Sequence, residues 1–65
     1  MNIKEFVINF YYKDNNNEWK IDTKDIYENE KDIKRTAESI AQAKEKEENK
    51  QIQFIKIFKE FLEVE

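Results

Sequence analysis

Gln51-Ile52-Gln53-Phe54-Ile55-Lys56-Ile57-Phe58-Lys59-Glu60-Phe61-Leu62-Glu63-Val64-Glu65 is the stretch on which the fold turns. Read with a period of 3.6, Phe54, Ile55, Ile57, Phe58, Phe61, Leu62 and Val64 separate from Gln53, Lys56, Lys59, Glu60 and Glu63, as on an amphipathic helix. Read as a strand, Ile52, Ile55, Ile57 and the Phe residues are β-formers, and a segment apolar on both faces suits a central strand. The two readings end in different folds, β-β-α-α and β-β-α-β.

The segments upstream weigh on the choice. From about Asn29 the pattern is helical, with Ile33, Ala37, Ile40, Ala41 and the stem of Lys44 on one stripe. Asn29 is the expected N-cap, with Asp32 in the capping-box position, and the basic residues Lys44, Lys46 and Lys50 suit the negative end of the helix dipole. The helix is expected over about 30–48.

Further upstream, residues 3–12 alternate as a strand, with Phe6, Ile8, Phe10 and Tyr12 forming the more apolar face. Asp14-Asn15-Asn16-Asn17 follows, then a run in which Trp19, Ile21 and Thr23 alternate with Lys20, Asp22 and Lys24, so a hairpin is expected. Placing both apolar sets on one face requires an even loop. A loop of residues 14–17 pairs Tyr12 with Trp19, Phe10 with Ile21, Ile8 with Thr23 and Phe6 with Asp25. It also puts Tyr11 opposite Lys20, Asn9 opposite Asp22 and Val7 opposite Lys24 on the other face.

The order of segments therefore favours an α+β chain, β-β-α-β, with residues 51–58 as the third strand and residues 1–65 as one small domain. The helical reading, β-β-α-α, remains the alternative. An aromatic strand, an Asn-rich turn, the run Glu28-Asn29-Glu30-Lys31-Asp32-Ile33, a helix carrying Thr36-Ala37 and Ile40-Ala41, and a closing Ile/Phe/Lys strand resemble the small β-β-α-β accessory proteins of phages and mobile elements. Anti-CRISPR proteins, which inhibit host defence, are among the proteins it is similar to. That resemblance implies stoichiometric binding to a host protein, such as a defence nuclease complex.

Composition narrows the chemistry. The 65 residues include no Gly, Pro, Cys or His, whereas an average chain of this length carries about 8 Gly and Pro together. Left-handed turn positions must then fall to Asn or Asp. A chain this short buries a small core, and without Cys or His the usual disulfide or zinc prop is removed, which leaves self-association. Fifteen acidic against 12 basic residues leave a net charge of −3, too weak a bias to direct the chain to a polyanion. The longest apolar run is Phe6-Val7-Ile8 and no charged-then-apolar leader is seen, so a soluble, cytoplasmic chain without membrane contact is expected.

Catalysis by an activated nucleophile has little to draw on, since the hydroxyls are Ser39, Thr23 and Thr36 and there is no His or Cys to act as base or thiolate. No Gly-rich phosphate loop exists without Gly. Carboxylate groups such as Asp22 with Asp25, and Glu45, Glu47 and Glu48, read as solvated charge. The expectation is a non-enzymatic protein with no cofactor and no metal. Its function is then binding to and inhibition of a host protein, with a homodimer as a further possibility and a small nucleic-acid-binding or regulatory module as the alternative. The expected partner-binding residues are Ile3, Val7, Tyr11 and Ile26 on the sheet face left uncovered by the helix, Lys20 beside them, and the acidic Glu45, Glu47 and Glu48. Tyr11 with Lys13 and Lys20 is the arrangement that would stack bases. Direct contact with nucleic acid is the less favoured reading.

Overall fold

Strand formers at alternating positions extend the chain twice before the first helical period begins, and the hairpin they make is long. In the computed structural model, which describes residues 3–60, β1 is Ile3–Lys13, β2 is Trp19–Asn29, α1 is Ile33–Glu47 and β3 is Ile52–Glu60. The fold is β-β-α-β. The sheet is antiparallel, with strand order β2-β1-β3.

The ambiguous stretch is thus a strand from Ile52 to Glu60, longer than the 51–58 expected from sequence. It lies at an edge of the sheet and not at its centre. It is apolar on both sides because each side meets a different apolar surface. Ile52 and Ile55 pack on the core beneath α1, while Phe54 stacks on Tyr11 on the opposite face. The part of the helical pattern carried by Phe61, Leu62 and Val64 lies outside the described residues.

The core is Phe6, Ile8 and Phe10 of β1 with Ile33, Ala37 and Ala41 of α1, joined at its margin by Ile26, Ile40, Ile52 and Ile55. The even positions of β1 face the helix, as alternation requires. Small Ala37 and Ala41 let the helix approach, and α1 packs on β1 and β3. At about 1.5 Å per residue against about 3.3 Å, a 15-residue helix covers only part of 11-residue strands. The helix begins later than expected. Its N-cap is Asp32, not Asn29, and Asp32 makes no side-chain cap bond. Asn29 instead ends β2, where its carbonyl accepts from the Asp32 N–H at 3.0 Å.

The hairpin register differs from the even-loop expectation by one residue. Phe10 pairs with Asp22, Tyr12 with Lys20 and Lys13 with Trp19. The cause is the turn. The Asp14 carboxylate accepts from the N–H groups of Asn16 at 2.8 Å and Glu18 at 3.0 Å, and the Asp14 N–H donates to the Glu18 carbonyl at 3.0 Å. The Asn17 N–H donates to the Asp14 carbonyl at 3.0 Å, and Asn17 has φ 62°, so the loop is a turn followed by a left-handed residue. Asp14 and Glu18 close the loop, leaving an odd number of residues between them. An odd loop moves every β2 side chain to the other face. With no Gly present, Asn17 and Asn49 (φ 55°) occupy the left-handed positions, the second just beyond the helix C-cap Glu48.

Candidate functional site: the open sheet face

Since β2 is shifted by one, its apolar odd residues emerge on the face away from α1. Trp19 and Ile21 were expected in the core, opposite Tyr12 and Phe10. They lie outside instead, Trp19 52% exposed and Ile21 53%. Tyr27 on β2 is 59% exposed, and Phe54 and Phe58 on β3 are 45% and 48% exposed. The paired registers place these residues in rows with the odd positions of β1. Ile21, Tyr11 and Phe54 form one row, and Asp25, Val7 and Phe58 another.

The first row is organised by ring contacts. Tyr11 and Phe54 stack with centroids 4.4 Å apart and planes 15° apart, and Trp19 leans onto Phe54 at 5.6 Å and 59°. Two cations lie over these rings, Lys13 5.0 Å from the Trp19 centroid and Lys56 5.6 Å from that of Tyr11. Between the apolar rows the Thr23 hydroxyl donates to Asn9 Oδ1 at 3.0 Å. A bulge in β3 at Gln53 lets Phe54 pair with Tyr11 while Ile52 pairs with Tyr12. That is how both rings and core contacts are served by one strand.

The expected binding residues divide between faces. Ile3, Val7 and Tyr11 share the open face, as the odd parity of β1 requires. Ile26 does not belong with them: the shifted register turns it toward the helix, where it is half-buried against the core. Lys20 is likewise turned to the helix side, opposite Tyr12 and not Tyr11, and lies 3.9 Å from both Asp14 and Glu18. Glu45 and Glu47 are exposed at the end of α1, whereas Glu48 is engaged by Lys50 at 3.0 Å and Lys44 at 3.5 Å. The sequence reading missed Trp19, Ile21, Tyr27, Phe54 and Phe58 as members of the open face. The signal that would have placed the β2 residues is Asp14 at the head of the Asn run, where its carboxylate can take the backbone N–H two residues on and set the turn.

On the helix side the charges are spent on ties between elements. Asp22 of β2 accepts from Lys50 at 2.8 Å and Lys44 at 3.3 Å, with the Tyr12 hydroxyl at 3.4 Å. Its carboxyl is held below the ordinary carboxylate range, first by the bond from Lys50 and, against an opposing effect of burial, by Lys44. Lys50, bonded to Asp22 and Glu48 and set 4.6 Å over the Tyr12 ring, is raised above the usual lysine value. At the other end Glu30 bridges Lys4 at 3.0 Å and Lys59 at 3.1 Å, and both lower its carboxyl. These networks clip the hairpin to the helix end and to β3.

Thr36 donates to Glu28 at 3.3 Å, Thr23 to Asn9, and Ser39 is exposed on the helix. Among the described residues no group of His, Cys, Asp and Glu is placed to hold a metal, and no helix is long and apolar enough to cross a membrane. Comparison with protein-family models, curated proteins and solved structures finds no match.

Proposed function

We propose that this chain is a non-enzymatic protein-binding module whose contact surface is the open face of the sheet. One observation carries the reading: Trp19, Ile21, Tyr27, Phe54, Phe58 and Ile3 are each close to half exposed on that single face. If an aromatic side chain has up to about 250 Å² to bury, these six leave roughly 600–700 Å² of apolar surface in water. The largest apolar patch on an ordinary monomer is about 300–600 Å² and is often functional. Trp and Tyr, which are enriched at binding hot spots, stand at both ends of it, Trp19 by the turn and Tyr27 at the far end. The β-β-α-β pattern, similar to that of anti-CRISPR and related phage proteins, supports a bacterial protein as the partner and stoichiometric inhibition as the outcome.

Immobilised chain and its Tyr27→Lys variant, each checked for folding by circular dichroism, should be exposed to a bacterial lysate. The reading requires that a protein retained by the parent is lost from the variant. Equal retention by both would remove the open face as the contact surface.

A second reading has one observation in its favour, the two lysines over Trp19 and Tyr11, an arrangement that also serves single-stranded nucleic acid. It requires binding to random single strands that falls steeply with salt. The net charge of −3 weighs against it.

A further inference from the structure

The open face carries a pattern of charge as well as apolar surface. Its rows, from the turn outward, are Lys13 with Trp19, then Tyr11 with Ile21 and Phe54, then Asn9 with Thr23 and Lys56, then Val7 with Asp25 and Phe58, then Glu5 with Tyr27. The middle row is polar, the rows on either side of it are apolar apart from Asp25, and the two ends have opposite sign. Lys13 stands at the turn end, and Glu5 and Asp25 toward the other.

Two such faces can meet about a two-fold axis in either of two ways. With the axis along the strands, each row lies on its own copy, so Lys13 meets Lys13 and Glu5 meets Glu5. With the axis in the plane but across the strands, along the Asn9 row, the order is reversed. Lys13 then lies over Glu5 of the second copy, within reach of that copy's Asp25. Trp19 lies over Tyr27, Tyr11 over Val7 and Phe54 over Phe58. Asn9 and Thr23, already hydrogen-bonded to each other, meet their own copies on the axis, as does Lys56 in the same row, and Ile21 lies over Asp25 of the second copy.

We infer that the open face closes on a second copy of this chain in that antiparallel arrangement, giving a two-layer sandwich with the helices outside. Three observations select this occupant. Reversal of the rows sets Lys13 against Glu5 and brings Trp19 onto Tyr27, Tyr11 onto Val7 and Phe54 onto Phe58, each twice, which outweighs the unfavourable Lys56–Lys56 and Ile21–Asp25 juxtapositions, and a two-fold contact presents the same surface to itself. The exposed apolar area, roughly 600–700 Å² per copy, approaches the roughly 800 Å² per partner of a stable interface. Lastly, sheets of this kind pack face to face at about 10 Å, a gap that half-exposed aromatic side chains fill. The inference rests on reading the open face as a protein-docking surface, and it names the occupant of that face in the isolated chain, which a partner protein must displace.

The test is sedimentation equilibrium of the full chain at micromolar concentration, with folding followed by circular dichroism. The wild type should dimerise. Glu5→Lys and Lys13→Glu should each weaken the dimer by about tenfold or more, because each variant sets like charges together twice across the axis. An equimolar mixture of the two should recover the wild-type affinity, since Lys13 of one variant again meets Glu5 of the other. If either charge reversal unfolds the chain, Glu5→Gln and Lys13→Gln replace it and should make dimerisation less sensitive to salt. A wild type that is monomeric throughout would overturn the second copy as occupant, and single variants that dimerise as the wild type does would overturn the antiparallel arrangement. In the monomeric case Tyr27→Lys decides separately: loss of a captured protein leaves the docking face standing, and unchanged capture removes it as well.

Discussion

Replacing Phe10 and Trp19 by Ala, one at a time, separates the two faces of the hairpin. Phe10 is 0% exposed, on the central strand beneath α1 and beside Ile8. Truncating such a ring costs about 3–5 kcal/mol in lost transfer energy and the cavity left behind. A chain of 65 residues has roughly 3–10 kcal/mol of stability in total, so Phe10→Ala should be largely unfolded or melt far below the parent. Trp19 is 52% exposed and leans on Phe54 and Lys13. Its buried half is about 120 Å², which at about 25 cal/mol/Å² sets an upper limit near 3 kcal/mol, and the Ala that remains lowers the cost to about 1–2 kcal/mol. Urea unfolding followed by circular dichroism, at a concentration low enough to hold the chain monomeric, measures both. Equal losses at the two positions would refute the register, because they would require Trp19 to share the core with Phe10.

Asp22→Asn should cost about 1–2 kcal/mol, since it weakens the bonds to Lys50 and Lys44 that clip β2 to the helix end; the urea midpoint at neutral pH reads it. Asp22, Glu30, Asp14 and Glu48 all have folded-state pKa values below their ordinary ones. Their contribution is therefore whole above the ordinary carboxylate range, near pH 4, and is lost as pH falls through the lower folded values. The urea midpoint should thus drop on acidification below about pH 4, and less steeply in Asp22→Asn. Asn17→Ala should cost about 1–2 kcal/mol at the left-handed turn position, and Asn17→Gly should not, as thermal melts will show. Ala37→Leu, which inserts three carbons where the helix meets β1, should lose about 1–3 kcal/mol by the same assay.

The element order, the even face of β1 and the helix stripe were legible in the sequence, because each rests on periodicity within one segment. Ile33, Ala37 and Ala41 are buried and Ile40 and Lys44 flank them, as the 3.6-residue spacing requires. The residue type at the left-handed turns was legible too: with Gly absent they fall to Asn, at Asn17 and Asn49. What periodicity does not carry is the relation between segments. The apolar odd residues of β2 argued for an even loop, but two hydrogen bonds to the Asp14 carboxylate and a left-handed Asn17 make the loop odd. That local chemistry prevails because the misplaced apolar residues are not left alone. Trp19 finds Phe54 on the open face, while Asp22, turned inward, finds Lys44 and Lys50. The first half of this exchange depends on β3, whose register and bulge no pattern in the first half of the chain reveals. The candidate site was therefore half legible, Ile3, Val7 and Tyr11 by parity, with Trp19, Ile21 and Tyr27 concealed by a shift of one residue in β2 and Phe54 and Phe58 by the register of β3.

The single Trp of the chain reports on the open face directly, through quenching of its fluorescence by acrylamide. Dilute chain should show the red-shifted emission and ready quenching of a half-exposed indole. Both should fall when the face is occupied, whether by a second copy as concentration rises or by a captured protein. Quenching that stays high in every bound or concentrated state would contradict the open face as the contact surface of this protein.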